Sequence, residues 1–264
     1  MRVAILGDIH ANLPALEAVL ADARDYGCTE FHCLGDVVGY NANPSECLEI
    51  VRNLPGACVL GNHDEAASHG NPLEGFSSAA ALSLEWTRGV LSAEQKAWLG
   101  ALRPQRQIRK TTLVHATLDS PCSWGYVRTF REAELSLACQ RTPLCFIGHT
   151  HVPKVFAHGV GEMLLFEEAE GVDLSKSPKL LINAGSVGQP RDGDWRAAYM
   201  IHDEGSDGLW MRRVEYDVES ASRAVLDAGL PPKLAERLHK GGIVDGGEHE
   251  YAATHPACEA KLAR

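Results

Sequence analysis

The sequence predicts an α/β fold with two stacked sheets, and three observations lead there. Short apolar runs alternate with helical patterns over the first two thirds of the chain. From about residue 113 the helical patterns thin out and strand-like runs follow one another. Clusters of Asp, His and Asn sit directly after predicted strands, where an open α/β sheet gathers its ligands.

Residues 3–6 are apolar at every position, as in a strand covered on both faces. Asn12 offers an N-cap, and Leu13, Leu16, Val19, Leu20 and Ala23 mark one face of a helix that stops near Gly27. A second strand, 31–34, runs into Gly35-Asp36. The next helix opens with Asn43-Pro44-Ser45-Glu46: a cap, a proline at the first helical position and an acid at the third. A third short strand, 58–60, ends at Gly61-Asn62. This spacing predicts a parallel sheet with right-handed crossovers. Helical stretches at about 76–88 and 92–102 precede the change of pattern. Strands are then expected at 113–115, 145–147, 152–156, 163–166, 180–183, 197–202 and 209–216, with one helix between them at about 131–139. Residues 219–240 read as helical, broken at Pro231-Pro232. One domain is expected over 1–240, and the Gly-rich polar stretch 241–264 reads as a mobile tail.

Composition narrows the field. The 264 residues, 45% hydrophobic and 23% charged, suffice for a sizeable core. The formal net charge is −10 with no run of Lys or Arg, which argues against nucleic acid as a main partner. Phosphate substrates stay open, because bound metal ions supply positive charge locally. Eight cysteines are scattered without a C-x-x-C pair and read as free thiols buried in a reducing cytoplasm. Asp8 comes too early for a signal peptide, and no apolar run is long enough to cross a bilayer. A cytoplasmic protein with no membrane partner is expected, its oligomeric state left open.

The chemistry lies in five clusters: Gly7-Asp8-Ile9-His10, Gly35-Asp36, Gly61-Asn62-His63-Asp64, Val114-His115 and Gly148-His149-Thr150-His151. Singly each is weak. Asp36 after a glycine could cap a turn, and His115 could be a hydrogen-bonded core histidine. Asp8 with His10, and His149 with His151, are two apart, so each pair falls on one side of an extended chain. Together these side chains cannot be buried at successive strand ends unless paired or metal-bound. Oxygen and nitrogen donors without thiolate suit Mn, Fe, Zn, Co or Ni rather than a Cys-ligated structural zinc.

The ordered set D-x-H, G-D, G-N-H-D, H, G-H-x-H over about residues 3–153 resembles the calcineurin-like metallophosphoesterase superfamily. Residues 183–191, Asn183-Ala184-Gly185-Ser186-Val187-Gly188-Gln189-Pro190-Arg191, resemble a segment of its bacterial branch of small phosphodiesterases and phosphatases. The resemblance implies a four-layer α/β/β/α sandwich of two mixed sheets flanked by helices. It implies two divalent or trivalent transition-metal ions, Mn first among them. Asp8, His10 and His151 would bind one, Asn62, His115 and His149 the other, and Asp36 would bridge. His63 would be the catalytic histidine, protonating the leaving oxygen, with Asp64 as its orienting partner. A metal-bridging hydroxide would attack a small phosphodiester or phosphoanhydride, a nucleotide among the candidates.

One departure is informative. Protein phosphatases and symmetrical tetraphosphatases of the superfamily follow the bridging Asp with D-R-G, whereas here Asp36 is followed by Val37-Val38-Gly39-Tyr40. Asn41 on that rim, Trp124 and Tyr126 in the long loop after His115, and Arg128 and Arg191 are candidate substrate contacts. Each has a plainer reading: a turn asparagine, loop packing, surface ion pairs. Rival functions are a phosphomonoesterase or protein phosphatase, and, from another class, a non-catalytic metal- or nucleotide-binding sensor or scaffold. Retention of His63 and of the full ligand set argues against the scaffold.

Overall fold

A computed structural model describes residues 1–70, 72–159, 161–163, 172–173, 179–242 and 258. The chain opens with β1 (Arg2–Leu6), α1 (Leu13–Asp25), β2 (Cys28–Cys33), α2 (Pro44–Asn53), α3 (Asn62–His69), α4 (Ser78–Val90) and α5 (Ala93–Ala101). It continues through β3 (Gln105–Ile108), β4 (Thr111–Val114), a 3-10 turn (Pro121–Ser123), α6 (Phe130–Cys139), β5 (Leu144–Ile147), β6 (Lys154–Ala157), β7 (Gly161–Met163) and β8 (Val172–Asp173). The described part closes with β9 (Leu180–Asn183), β10 (Ala197–Asp203), β11 (Gly208–Val214), α7 (Val218–Asp227) and α8 (Pro232–Lys240).

Two sheets result, ordered β2-β1-β10-β11-β8 and β3-β4-β5-β9-β6-β7. Alternation along β1 shows why they stack. Val3 and Ile5 point into an apolar layer with Phe146, Val155, Ile182 and Met200 from both sheets. Ala4 and Leu6 point the other way, into a core shared with Leu16, Val19 and Leu20 of α1 and with Val225 and Leu234 of α7 and α8. On the far side, Ala133 and Leu137 of α6 cover Cys145, Phe156 and Leu181 of the second sheet. The layers run helices, sheet, sheet, helix, in the four-layer α/β/β/α order that the resemblance implies.

Both sheets are mixed, which corrects the parallel sheet expected from the strand–helix alternation. β1 pairs parallel with β2 but antiparallel with β10, which returns from the far end of the chain. In the second sheet β4, β5 and β9 are parallel, with antiparallel strands on the flanks. The expected strand at 58–60 shrinks to single bridges, Cys33 to Cys58 and Val59 to Arg103, because the chain turns at once into α3. Asn12 caps α1 as read, accepting from the Ala15 N–H, but Asn43 makes no side-chain cap for α2. Of the strand expected at 163–166, residues 164–166 lie outside the described residues, as does most of the tail.

The cysteine reading needs a correction. Cys28, Cys33, Cys47, Cys58 and Cys145 are buried free thiols and Cys139 an exposed one, but Cys122 and Cys258 form a disulfide. Their separation of 136 residues hid the pairing, since spacing alone signals only local frameworks.

Candidate metal centre

The two ligand-bearing turns of each sheet meet at the strands' carboxyl ends. Asp8 and His10 follow β1, Asp36 follows β2, His115 follows β4, and His149 and His151 follow β5. Asn62 and His63 open α3. All these side chains are buried, at most 3% exposed. The backbone is not extended here, contrary to the expectation for the D-x-H and H-x-H pairs. Asp8, His10, Asp36, His149 and His151 all have φ between 47° and 66°, the left-handed region that non-glycine residues seldom adopt. Such strain persists only where the surroundings hold it, and it concentrates at functional sites.

What holds it is visible. Residues 183–191 lace the turns together. Asn183 Nδ2 donates to the Gly148 carbonyl at 2.6 Å, and Ser186 Oγ and the Gly188 N–H donate to the Asp8 carbonyl at 2.8 and 3.0 Å. The His149 N–H in turn donates to Asp8 Oδ2 at 3.0 Å. Gly148 is required by close approach, since a Cβ there would lie 2.5 Å from Asp8 Oδ2.

The histidines are oriented by carbonyls. Nδ1 of His10 faces the Val38 carbonyl at 3.0 Å, Nδ1 of His115 that of Leu34 at 2.8 Å, and Nδ1 of His151 that of Gln189 at 2.6 Å. A carbonyl only accepts, so each Nδ1 carries the proton and each Nε2 is the atom that could ligate a metal. His149 is turned the other way: its Nε2 donates to the Trp124 carbonyl at 2.9 Å, leaving Nδ1 as its ligand atom.

This arrangement tests whether a cation fits. His10 Nε2 and His151 Nε2 lie 3.1 Å apart, with both protons committed to carbonyls on the opposite edges. Two lone pairs facing each other at that distance repel, and a cation between them removes the conflict. Asp8 Oδ1 completes that group, 3.2 Å from His151 Nε2. Asp36 Oδ2 sits between the two halves, 3.6 Å from His10 Nε2 and 3.3 Å from His115 Nε2, and Asn62 Oδ1 is 3.1 Å from His115 Nε2. The ligand atoms of Asp8, His10 and His151 lie within 4.8 Å of one another, as do those of Asp36, His115 and His149. The donor set of oxygen and imidazole nitrogen therefore fits transition-metal ions.

Electrostatics agree. Burial opposes charge on Asp8 and Asp36, yet His151 beside the first and His115 beside the second hold both below the usual carboxylate range. Burial, then His63 and His151, push the pKa of His10 well down, and burial with Arg191 lowers that of His151 against the pull of Asp8. His115 is the exception: burial resists its charge, but Asp36 and Asp8 lift it to about 10.

His63 lies against the first group, its ring 4.8 Å from that of His10 and 4.6 Å from that of Tyr40, with its backbone N–H donating to Asp36 Oδ1 at 2.9 Å. Asp64 is not its orienting partner, which corrects that expectation. Consecutive helical residues point about 100° apart. Asp64 instead accepts from the Val37, Val38 and Gly61 N–H groups, clamping α3 to the Asp36 turn. Burial and then Asp36 push its carboxyl pKa up, against the pull of those donors.

The candidate substrate contacts divide. Asn41 is built into the scaffold: it is 2% exposed and donates to the His10 carbonyl at 2.8 Å. Trp124 is buried as well, its indole N–H donating to Glu65 Oε2 at 3.3 Å and its ring 5.9 Å from that of His115, so it packs rather than offers a stacking face. Tyr126 stacks on the His149 ring at 4.2 Å, and the Arg128 guanidinium lies 4.0 Å over the Tyr126 ring. Arg191 donates to Tyr40 Oη at 3.1 Å and to Gln189 Oε1 at 3.2 Å, beside the first ligand group. Tyr40 and the Trp124 carbonyl are site members that motif reading missed. Tyr40's position four residues after Asp36 is the one signal that pointed there.

Comparison with known proteins gives the family and the fold. A calcineurin-like phosphoesterase superfamily domain is matched over residues 1–207. An uncharacterised protein of Methanocaldococcus jannaschii is 37% identical over 243 residues, covering 90% of this chain and 98% of that one. A crystal structure of a metallophosphoesterase from Sphaerobacter thermophilus superposes with a TM-score of 0.83 at 38% identity, covering 91% of this chain and 99% of that one. A hypothetical protein of Pyrococcus horikoshii superposes with a TM-score of 0.73 at 19% identity over 92% and 99% of the two chains, a likeness of fold.

Proposed function

The chain belongs to the calcineurin-like phosphoesterase superfamily and is a metal-dependent phosphoesterase; on that premise we propose that it holds two ions and hydrolyses a small phosphodiester or phosphoanhydride. Asp8, His10 and His151 hold one ion, Asn62, His115 and His149 the other, and Asp36 serves both. The observation that carries the dinuclear reading is Asp36 Oδ2, poised between His10 Nε2 and His115 Nε2 at 3.6 and 3.3 Å. Bound there, two cations neutralise phosphate charge and lower the pKa of water to near neutrality. His63, beside the first group, donates a proton to the leaving oxygen, which otherwise departs as an anion. Arg191, fixed on Tyr40, supplies positive charge at the rim, and Tyr126 with Arg128 forms a flat cationic wall over His149.

Substrate class follows from charge. A phosphomonoester carries about two negative charges near neutral pH, and a diester carries one per phosphate. Asp36 is followed here by Val37-Val38-Gly39-Tyr40, without the D-R-G motif whose arginine holds phosphate in the relatives that carry it, so a diester or anhydride loses less binding here. The test is a set of kcat/KM ratios for phosphodiesters, dinucleoside polyphosphates, phosphomonoesters and phosphopeptides with the Mn-reconstituted protein. A phosphopeptide turned over more efficiently than every diester and anhydride would overturn the substrate class. At most one ion per chain under excess Mn would overturn the dinuclear reading.

A further inference from the structure

The Cys122–Cys258 disulfide is attached to the second ligand group, and Trp124 is the link. Cys122 lies in the 3-10 turn Pro121–Ser123, and Trp124 ends that turn with φ +52°. The Trp124 carbonyl receives the His149 Nε2–H at 2.9 Å, which selects Nδ1 as that ligand's metal-facing atom. Its indole N–H reaches Glu65 on α3, the helix that Asn62 opens, and its ring lies 5.9 Å from that of His115. One residue thus touches a ligand or the helix of a ligand at three points, all belonging to the second group. Both cysteines pack with Trp124, Leu60 and Ala116 in one small apolar cluster, and the last two flank the Asn62 and His115 turns. Cys122 is 3% exposed and Cys258 is fully buried.

We propose that the Cys122–Cys258 disulfide is a positioning cross-link for the second metal ion, acting through the Trp124 carbonyl on His149. The inference rests on the dinuclear reading above. A left-handed residue in a short turn has no repeating ladder to hold it, so the backbone around Trp124 depends on what fixes the turn. The cross-link fixes it two residues upstream. Its formation joins two thiols by one S–S bond and releases two protons and two electrons, which a small-molecule disulfide accepts as it leaves as two thiols. Once the chain is folded, burial of both sulfurs shields the bond from a dissolved thiol.

The experiment uses the full chain purified without reductant. Intact mass before and after alkylation in denaturant establishes the cross-link, and chelator-competition titration with Mn gives the affinity of each ion. In C122A/C258A, and again in C258S, the second ion should bind roughly ten- to a hundredfold more weakly, with the first unchanged. In the metal-free state, the proton NMR resonance of His149 Nε2–H, protected by the Trp124 carbonyl in the wild type, should exchange rapidly in the variants. Free thiols at both positions in the wild type overturn the inference. So does equal weakening of the two ions, or a second ion of unchanged affinity in the variants. A wild type that binds only one ion fails earlier: it sinks the dinuclear reading and takes the cross-link's role with it.

Discussion

A carboxylate shared by two cations loses more on neutralisation than one that serves a single ion, and the dinuclear proposal assigns that position to Asp36. Asp36→Asn should weaken both ions by at least about tenfold, measured by chelator competition; a loss confined to one ion would remove Asp36 from the shared place. His63→Ala should leave metal content intact and lower kcat on an ester with a poor leaving group by roughly a hundred- to ten-thousandfold, the range for a positioned proton donor. Wild-type turnover in that variant would rule out the proton-donor role. His115 adds a pH dependence whose sign is definite. Asp36 and Asp8 raise it to about 10 in the metal-free protein, so metal uptake at pH 8 should release about one proton per chain. Apparent affinity then rises by roughly tenfold per pH unit on approach to pH 10 and levels off above it. Calorimetry in buffers of different ionisation enthalpy counts that proton, and a buffer-independent heat would contradict it. At this scale the Asp and His residues that the structure gathers into candidate metal-binding groups were legible in the motifs. Their left-handed backbone was not, because nothing local in Asp8 or His149 demands it. Asn41 and Trp124 looked like substrate contacts because sequence does not show which carbonyl or carboxylate a polar group already meets.

Elements with a face to bury were read within a few residues, and those without one were missed. α1, with Leu16, Val19 and Leu20 on one side, falls where its pattern put it. α3 carries no long apolar stripe: four of its six buried side chains, Asn62, His63, Asp64 and Glu65, are polar or charged, and the other two are the small Ala66 and Ala67. It exists to bring the Asn62 and His63 side chains to the Asp36 turn, and long-range contacts decide that, not periodicity. The edge strand β3, Gln105–Ile108, is likewise mostly polar and exposed. The turn between β2 and α2 sets the His63 ring. Gly39 has φ +89°, and a Cβ there would collide with His63 Nδ1. Gly39→Ala should therefore displace the ring and lower kcat towards the His63→Ala value while both ions stay bound. It should also cost about 1 kcal/mol or more of stability from the positive φ. Full activity in Gly39→Ala would show that the ring has room which the packing denies it.

Across the whole molecule, the disulfide closes a span of 136 residues that includes most of the second sheet. Chain entropy predicts about 4 to 5 kcal/mol from closing so long a loop, so C122A/C258A should unfold at markedly lower denaturant than the wild type when both are metal-free. An unchanged midpoint would mean that the bond does not restrict the unfolded chain. The stacking of the sheets has another consequence. Asp8, His10 and Asp36 hang from the first sheet, and His115, His149 and His151 from the second, so neither sheet owns a complete ligand set. Each ion would act as a rivet through two plates, and the Ile5, Phe146 and Ile182 layer is the shim between them. Thinning that shim, far from any substrate, would let the plates slide and pull the rivet holes out of line. Metal affinity thus becomes a ruler for the spacing of the core, and a core mutation can silence this enzyme without touching its active site.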